Sequence, residues 1–274
     1  MRLRTPLFAL AAAAALLTGC FGEDGPLQRR DAAFAWHDHV PAGATVRVRN
    51  LNGEIEVTPA TDDTLRVTAS LSWRRGDPDS GLQLTGARDG EDAIICAVWG
   101  KGKCTRDDYT SSFDFSRAGT DARVHFRIAV PAGVRLELRG ANTSIIAAAT
   151  APVDARTLNG DVTVVTSVGP VRGETKNGSV DVRMSSLTGT DSVIAATLNG
   201  DAFVYLPDGI DAVLDLSVTN GSVSSEFAVP IVGSPNRRAL RATLGAGSRT
   251  VKIRSVNGNA ALRRLDAEGR AYRP

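Results

Sequence analysis

Apolar and polar residues alternate one by one in short segments along most of the chain. In Asn159-Gly-Asp-Val-Thr-Val164, for example, valines stand two and four places after the glycine, with a polar residue between them. A period of two is typical of a β-strand that buries one face. No stretch sustains the 3.6-residue period of an amphipathic helix. The pattern therefore predicts an all-β protein with almost no helix.

The same alternating frame returns behind a recurring Asn-Gly pair. The pairs are Asn52-Gly53, Asn159-Gly160, Asn177-Gly178, Asn199-Gly200, Asn220-Gly221 and Asn257-Gly258, and Asn142-Thr143 is a further copy without the glycine. From Asn142 onward the asparagines are 17, 18, 22, 21 and 37 residues apart. Because the last spacing is near twice the others, we expect one unit without the motif inside that interval.

A turn that returns about every 20 residues favours a β-solenoid over a series of hairpins. Turns in sandwiches and barrels recur about every 8 to 12 residues. One circuit of a solenoid would instead place each Asn-Gly corner above the last, with rungs about 4.8 Å apart. Asparagine and glycine both tolerate positive φ, and stacked asparagines can hydrogen-bond along a ladder. The sequence predicts a β-solenoid, or β-helix-like array, with an antiparallel β-sandwich as the alternative.

These patterns divide the chain into five segments. We predict a lipoprotein signal peptide at 1–19, a lipidated tether at 20–35, an N-terminal β region at 36–140, a β-repeat array at 141–265 and a C-terminal tail at 266–274. Near-copies of Val-Pro-Ala-Gly at Val40 and Val130 each lead into a motif unit, so we expect both to belong to one sheet. The polar insertion at about 74–122 predicts a decorated hairpin or a cap over a solenoid end.

The first twenty residues carry a targeting signal. Arg2 and Arg4 precede an apolar run that is too short to span a bilayer comfortably. The run ends in Leu17-Thr-Gly-Cys20, which resembles the lipobox of bacterial lipoproteins. The resemblance implies a diacylglycerol thioether on Cys20 and a protein anchored in the cell envelope outside the cytoplasm. Because Phe21 is not Asp, the default in a bacterium with two membranes is the outer membrane, facing the periplasm or the surface. An ordinary signal peptide with an unrelated cysteine is the alternative.

Composition and charge narrow the class of partner. The chain has 32 basic and 30 acidic residues, and removal of Arg2 and Arg4 with the leader would leave 30 of each. This balance gives no support for a nucleic-acid partner. We expect the membrane to be contacted through the N-terminal lipid, and an envelope polymer or a protein to be the ligand. A groove for it would be sought near Trp73, Trp99 and Tyr109.

Two cysteines remain after Cys20. Cys96 and Cys104 are separated by seven residues, and outside the cytoplasm such a pair predicts a disulfide. Gly100 and Gly102 between them fit a pinned hairpin. Metal binding is the alternative, but no third and fourth ligand lie nearby in the sequence. We expect the disulfide to stabilise a loop that has little core of its own.

Three further groups have residue types suited to chemistry, and we assign a catalytic residue, cofactor or metal to none of them. His37 and His39 would point to the same side of a strand, which could begin a metal site. Asp161 and Asp201 follow their Asn-Gly pairs identically, but two rungs place them about 9.6 Å apart, at the limit for an inverting carboxylate pair. His125 alternates with apolar neighbours and is expected at the surface.

The motifs together carry a family resemblance. The Val-Pro-Ala-Gly lead-ins, the Asn-Gly-x-Val-x-Val units and the segment 244–258 resemble the bacterial domain-of-unknown-function family described as an adhesin with β-strand repeats, over about 36–265. The resemblance implies an all-β, solenoid-like envelope protein without established enzymatic activity, and it carries over no site residues. We therefore expect a lipid-anchored, non-enzymatic envelope protein that acts as an adhesin-like binding or structural module. The alternatives are a polysaccharide-active β-helix enzyme and a periplasmic sensor or regulatory partner in envelope stress.

Overall fold

The computed structural model describes residues 25–111, 120–187, 191–229 and 237–265. All regular secondary structure in these ranges is β-strand, so the prediction of an all-β chain is confirmed for them. No helix that could cross a membrane is found in the part of the chain that the structure describes. The predicted signal peptide at 1–19, the lipidated residue Cys20 and the predicted tail at 266–274 lie outside the described residues.

Twenty strands make up the described structure. The first ten are β1 Gln28–His39, β2 Thr45–Pro59, β3 Thr64–Trp73, β4 Leu82–Asp89, β5 Asp92–Trp99, β6 Lys103–Cys104, β7 Tyr109–Thr110, β8 Arg123–Val130, β9 Arg135–Ala149 and β10 Val153–Arg156. The second ten are β11 Val162–Thr166, β12 Val171–Asn177, β13 Val180–Met184, β14 Val193–Asn199, β15 Ala202–Leu206, β16 Ala212–Asn220, β17 Val223–Ser225, β18 Ala239–Leu244, β19 Thr250–Asn257 and β20 Ala260–Arg264.

The repeats pair in parallel on both sides of the Asn-Gly positions. Strands that precede these positions form what we call the pre-corner ladder, in the spatial order β2, β9, β10, β12, β14, β19, β16. Strands that follow them form the post-corner ladder, in the order β2, β9, β11, β13, β15, β20, β17. The long strands β2 and β9 run through both ladders. The antiparallel alternative is therefore wrong for the repeats.

In the described residues, antiparallel strands occur at the ends of the two ladders and in the separate two-stranded sheet of β6 and β7. On the pre-corner ladder, β5 pairs in parallel with β2 and β4 then pairs with β5 in the antiparallel sense. On the post-corner ladder, β8 pairs in parallel with β2, and β3 and β1 follow in the antiparallel sense. At the far end, β18 covers the edge of β16. Each covering strand occupies an edge that would otherwise present unpaired backbone groups.

The last repeat is inserted between earlier ones. Strand β19 lies between β14 and β16 and pairs in parallel with both, although β16 precedes it in the chain. Among the described residues, the 37-residue spacing before Asn257 contains the antiparallel strand β18 instead of another rung. Our expectation of a unit without the motif is therefore wrong. A period of two describes a parallel rung and an antiparallel edge strand equally well, so the pattern could not separate them.

The main apolar core lies between the ladders. Its inward side chains come from alternate positions of each strand, as Val162 and Val164 of β11 illustrate, and both have no exposed surface. Strand register stacks Val162 on Ile145 of one neighbour and Val180 of the other. Full burial of a valine side chain contributes about 1.5 to 3 kcal/mol, so each rung adds to the stability of the next.

The polar insertion at about 74–122 contributes more to the core than expected. Strand β5 buries Ile95 and Trp99 in the main core, and Trp99 is fully buried. Its opposite face buries Ile94, Cys96 and Val98 in a second cluster, against which Cys104 and Tyr109 pack. The expectation of a loop with little core is wrong because the run Ala93 to Trp99 is apolar throughout and buried on both faces.

Candidate functional site

The asparagines of the repeats form a hydrogen-bonded ladder. In each step a side-chain Nδ2 donates to the Oδ1 of the asparagine on the neighbouring rung, at 2.7 to 2.8 Å. The spatial order is Asn142, Asn159, Asn177, Asn199, Asn257 and Asn220. Asn52 is aligned with Asn142, and its Nδ2 donates to the carbonyl of Ala122 at 3.0 Å. The asparagine ladder aligns the pre-corner and post-corner ladders along one edge.

The glycine that follows each asparagine has a conformation that other residues rarely adopt. Gly178 has a φ of 144°, and a Cβ built there would lie 2.3 Å from the carbonyl oxygen of Gly160. The glycines at equivalent places also have positive φ, namely Gly53, Gly160, Gly200, Gly221 and Gly258. The position therefore excludes a side chain both by backbone conformation and by space.

The carboxylates that follow the Asn-Gly pairs bind the backbone of the next rung. Asp161 Oδ1 accepts a hydrogen bond from the Ser179 amide at 2.8 Å, and Asp201 Oδ1 accepts one from the Asn259 amide at 2.7 Å. The rung of Ser179 lies between the two aspartates. These contacts give both carboxylates a structural role, which explains why Asp, Ser and Asn recur at this place.

The outer face of the pre-corner ladder carries charges that neutralise one another. Each charged group contacts the next at 2.7 to 3.6 Å along a continuous series. The series is Asp92, Arg47, Glu137, Arg139, Asp154, Arg156, Glu174 and Arg172. A shallow cleft of about 490 Å³ lies over this face. The charges of the series are satisfied within the chain, whereas Arg135, an exposed arginine that lines the same cleft, makes no ion pair with the described residues.

A larger cleft of about 740 Å³ lies on the outer face of the post-corner ladder, over strands β1, β3 and β8. We call it the arginine cleft and define it by Arg29, Ser72, Trp73, Arg123 and His125, all of which line it. Strand register places Arg29, Ser72 and Arg123 side by side on β1, β3 and β8. The next row places His125 of β8 between Ser70 of β3 and Glu54 of β2.

Ser72 and His125 are hydrogen-bonded to each other on the floor of the cleft. The distance from Ser72 Oγ to His125 Nε2 is 2.8 Å, and Ser72 is 8% exposed. Burial lowers the pKa of His125, the nearby charge of Glu54 opposes this change, and Arg123 and Arg29 lower the pKa further. The imidazole is therefore neutral at pH 7. The expectation that His125 is a surface residue holds only in part, since it is half-buried.

Arg29 and Arg123 differ from the arginines of the charged series on the pre-corner face. Both are exposed, and neither makes an ion pair or a side-chain hydrogen bond with any part of the chain that the structure describes. Arg127, one row away, is paired with Glu56 at 3.2 Å. The two guanidinium groups flank Ser72, so the cleft presents free positive charge over a polar floor.

The structure places the sequence-predicted aromatic residues in different environments. Trp73 lines the arginine cleft, whereas Trp99 is fully buried and Tyr109 donates its hydroxyl to the carbonyl of Ala97 at 2.8 Å. The expected groove therefore lies near Trp73 and away from the other two. Sequence reasoning missed Arg29 and Arg123 because they belong to strands that are far apart in the chain. The alternation Arg123-Val-His125 was the one local signal of an outward polar pair.

The remaining candidates gather no further ligands. Cys96 and Cys104 form a disulfide, as predicted. His37 and His39 are exposed on β1, and His39 Nδ1 lies 3.3 Å from Asp63 Oδ2. The described residues contain no group of three or more His, Cys, Asp or Glu side chains that could hold a metal ion.

Comparison with known proteins gives matches at the level of structure. No family model matches the chain, and no curated protein matches it. A candidate cell adhesion protein from Clostridium sporogenes ATCC 15579 has a TM-score of 0.46 and 12% identity, and the match covers 86% of this chain and 100% of that chain. A candidate adhesin from Bacteroides fragilis NCTC 9343 has a TM-score of 0.32 and 13% identity, with 87% and 97% covered. A candidate adhesin from Parabacteroides distasonis ATCC 8503 has a TM-score of 0.26 and 10% identity, with 87% and 98% covered.

Proposed function

We propose that this chain is a lipid-anchored, non-enzymatic β-solenoid of the bacterial cell envelope that acts as an adhesin-like binding module. In this proposal, lipidated Cys20 tethers the protein to the membrane outside the cytoplasm. The stacked rungs form a rigid support, and an outer sheet face contacts an envelope polymer or a partner protein. The single observation that carries the binding role is the arginine cleft, in which Arg29 and Arg123 have no partner among the described residues.

The solenoid assignment is supported by the register of the repeats. Equivalent residues of successive units pair in parallel on both ladders, as Val153 with Val171 and Val162 with Val180 do. The asparagine ladder links the same units at one corner. A chain that winds in this way buries a continuous core and leaves long outer faces open to a partner.

A purely structural role would leave the free charge of the cleft unexplained. Along the charged series of the pre-corner face, arginine and acid alternate so that each arginine of the series contacts an acid, and Arg135 beside the series is the exception. The same chain leaves two adjacent cations unpaired on the post-corner face. Exposed arginines are enriched where proteins recognise partners, and an unpaired cluster in a concavity is more typical of a binding surface than of a scaffold.

The second candidate function is hydrolysis at the Ser72 and His125 pair. The 2.8 Å contact resembles a nucleophile and its general base. Glu54 stands opposite His125 on β2, but no hydrogen bond or ion pair joins the two side chains. A triad needs such a third group to orient the base. Asp161 and Asp201, the candidates for a polysaccharide-cleaving pair, are engaged by backbone amides. We therefore favour binding over catalysis.

The test uses the soluble form of the mature chain, residues 21–274 without the lipidated Cys20, labelled with a fluorophore. This form is the mature chain in the experiments below. We expect it to bind intact bacterial cells or an isolated envelope fraction in a saturable manner, and to be displaced by unlabelled protein. Absence of saturable binding to every envelope fraction would overturn the binding role and leave the structural one. In parallel, a fluorophosphonate probe should not label Ser72, and labelling that is lost in Ser72→Ala would favour the hydrolase.

A further inference from the structure

The arginine cleft has a chemistry that selects a ligand class. Resting on the proposed binding function and deepening it, we infer that the cleft binds an anionic glycan by holding one oxyanion group, a sulfate, phosphate or carboxylate, between Arg29 and Arg123 and above Ser72. The neutral His125 orients the Ser72 hydroxyl from below.

The strand register sets the spacing of the two guanidinium groups. Arg29 and Arg123 occupy the strands on either side of Ser72, so their Cα atoms are separated by two strand spacings, roughly 10 Å. Arginine side chains are long enough to converge on a group in the middle of that span. Their planar forks donate in pairs to the oxygens of a carboxylate, sulfate or phosphate, which makes this arrangement more selective for oxyanions than two lysines would be.

The acids of the cleft leave this positive charge in excess. Four acids line it, and two of them are engaged: Glu56 pairs with Arg127, and Asp121 accepts backbone hydrogen bonds from Arg74 and Arg75 at 2.8 and 2.9 Å. The two other acids are Asp31 and Glu54. Five arginines line the same cleft. With His125 neutral, five arginines and four acids leave a formal excess of one positive charge in the cleft, which favours the entry of an anion.

The Ser72 and His125 contact provides the polar floor. In the tautomer in which the neutral imidazole donates from Nε2 to the Ser72 oxygen, the serine hydroxyl proton is free to point into the cleft. Ser72 is almost fully buried and lines the cleft, so its hydroxyl is reached from the cleft side. A hydroxyl at the centre of the row, with an arginine on each side, can donate to an oxyanion held between them.

Trp73 borders the cleft, but its ring does not face the cationic row. It follows Ser72 directly on β3, so its side chain lies on the opposite face of the strand and packs against the main core. The outward side chains of the cleft on β3 and β8 are polar or charged, namely Ser70, Ser72, Arg123, His125 and Arg127. Such a lining suits the hydroxyl groups and the charge of an anionic sugar.

The experiment measures the affinity of the mature chain for defined oligosaccharides by calorimetry. The probes are a sulfated heparin fragment, an oligogalacturonate, a glycerol-phosphate oligomer and neutral dextran, with oligo-glutamate as the acidic peptide. We expect at least one of the three anionic glycans to bind in a salt-dependent way and dextran not to bind. Which of the three binds most tightly identifies the oxyanion.

The variants test the two arginines against a matched control. Arg29→Ala and Arg123→Ala should each weaken binding of the preferred glycan by about tenfold or more. Arg123→Lys should weaken binding less than Arg123→Ala, because lysine keeps the positive charge and loses only the planar guanidinium group. Arg172→Ala removes an arginine that is paired with Glu174 on the other face and should change the affinity less than about twofold.

Two outcomes would overturn the inference while the proposed function stands. One is binding of envelope material by the mature chain without binding of any anionic glycan. The other is an equal loss of glycan affinity in Arg123→Ala and Arg172→Ala, which would indicate attraction by overall charge. Tighter binding of oligo-glutamate than of every glycan would likewise assign the cleft to a protein partner. Failure of the proposed function itself would be seen as absence of envelope binding.

Discussion

Asn257 donates its side-chain amide to Asn199 Oδ1 at 2.7 Å, although 58 residues separate them in the chain. The chain passes through Asn220 in between, yet Asn220 lies on the far side of Asn257 and donates to it at 2.8 Å. The order of the rungs in space is therefore different from their order in sequence. Strand β19 lies between β14 and β16. The facing edges of β14 and β16 are therefore paired only once the C-terminal repeat is in place.

Cysteine pairs at the corner report this order directly. Neighbouring strands are about 4.8 Å apart, within the Cα separation that a disulfide bridges, whereas two rungs span roughly 9.6 Å and exceed it. We expect the double variant Asn199→Cys/Asn257→Cys to form a disulfide on mild oxidation. The double variant Asn199→Cys/Asn220→Cys joins neighbours in sequence and should remain reduced. Peptide mapping under non-reducing conditions distinguishes them, and the opposite outcome would reverse the order of the rungs.

Gly178 is the position at which the corner has least tolerance. In Gly178→Ala, the new methyl group would meet the carbonyl of Gly160 in a backbone conformation with a φ of 144°. We expect the free energy of unfolding to fall by about 2 kcal/mol or more. Gly209→Ala is the control, because Gly209 has a φ of 74° but nothing within 4 Å of the added carbon. It should cost about 1 kcal/mol from backbone strain alone. Equal losses in urea denaturation would show that the close approach at the corner is unimportant.

The charge series on the pre-corner face makes the stability of the fold depend on pH in the acidic range. Burial acts to raise the pKa of Asp154, but hydrogen bonds from Arg156 and Arg139 outweigh it, so the pKa lies below its ordinary value. A lowered folded-state pKa gives stability that is present above the unfolded carboxyl pKa of about 3.9 and is lost as the pH falls towards the folded value. We expect the melting temperature to drop as the pH falls from about 5 to 3.

Asp154→Asn isolates that contribution. The variant should be less stable than the wild type at pH 7, and the difference should shrink as the pH falls through 4, because the wild type then loses its own charged contacts. Asp107→Asn, at an exposed position, should leave both the stability and its pH dependence unchanged. A difference between wild type and Asp154→Asn that is constant from pH 7 to pH 3 would contradict the role of the ion pairs.

Lipidation at Cys20 is testable in cells. We expect the full chain, expressed in a bacterium supplied with an alkyne fatty acid, to incorporate the label and to sediment with membranes. Several acyl chains anchor far more firmly than one, at about 0.8 kcal/mol for each buried methylene. Cys20→Ser should lose the label and become extractable, whereas Cys104→Ser should keep it. Label retained in Cys20→Ser would place the lipid elsewhere or show that the leader is an ordinary signal peptide.

The fold was partly accessible from sequence because its main determinants are local. The alternation in Val162 to Val164 predicts a strand with one buried face, and the repeated Asn-Gly predicts the turn that precedes it. Rung order was not accessible, because β18 and a parallel rung have the same period of two. The core role of β5 was missed because its surroundings are polar and its own run of Ala93 to Trp99 is short.

The candidate site was less accessible than the fold. Arg29, Ser72 and Arg123 are more than 40 residues apart in sequence and meet only through the pairing of β1, β3 and β8. The net charge of the chain did not predict the cleft, because the positive excess of the cleft is local and acids elsewhere in the chain balance it. Arg29 and Arg123 make no ion pair with the described residues, which is a property of tertiary structure alone.

The most direct test of the account compares envelope binding by the mature chain, its double variant Arg29→Ala/Arg123→Ala and the control Arg172→Ala. Cosedimentation with an isolated envelope fraction gives the dissociation constant of each. We predict saturable binding by the wild type and the control with similar constants, and at least about a tenfold weaker constant for the double variant at an unchanged melting temperature. Equal binding by all three proteins would contradict the claim that this molecule engages the envelope through the arginine cleft.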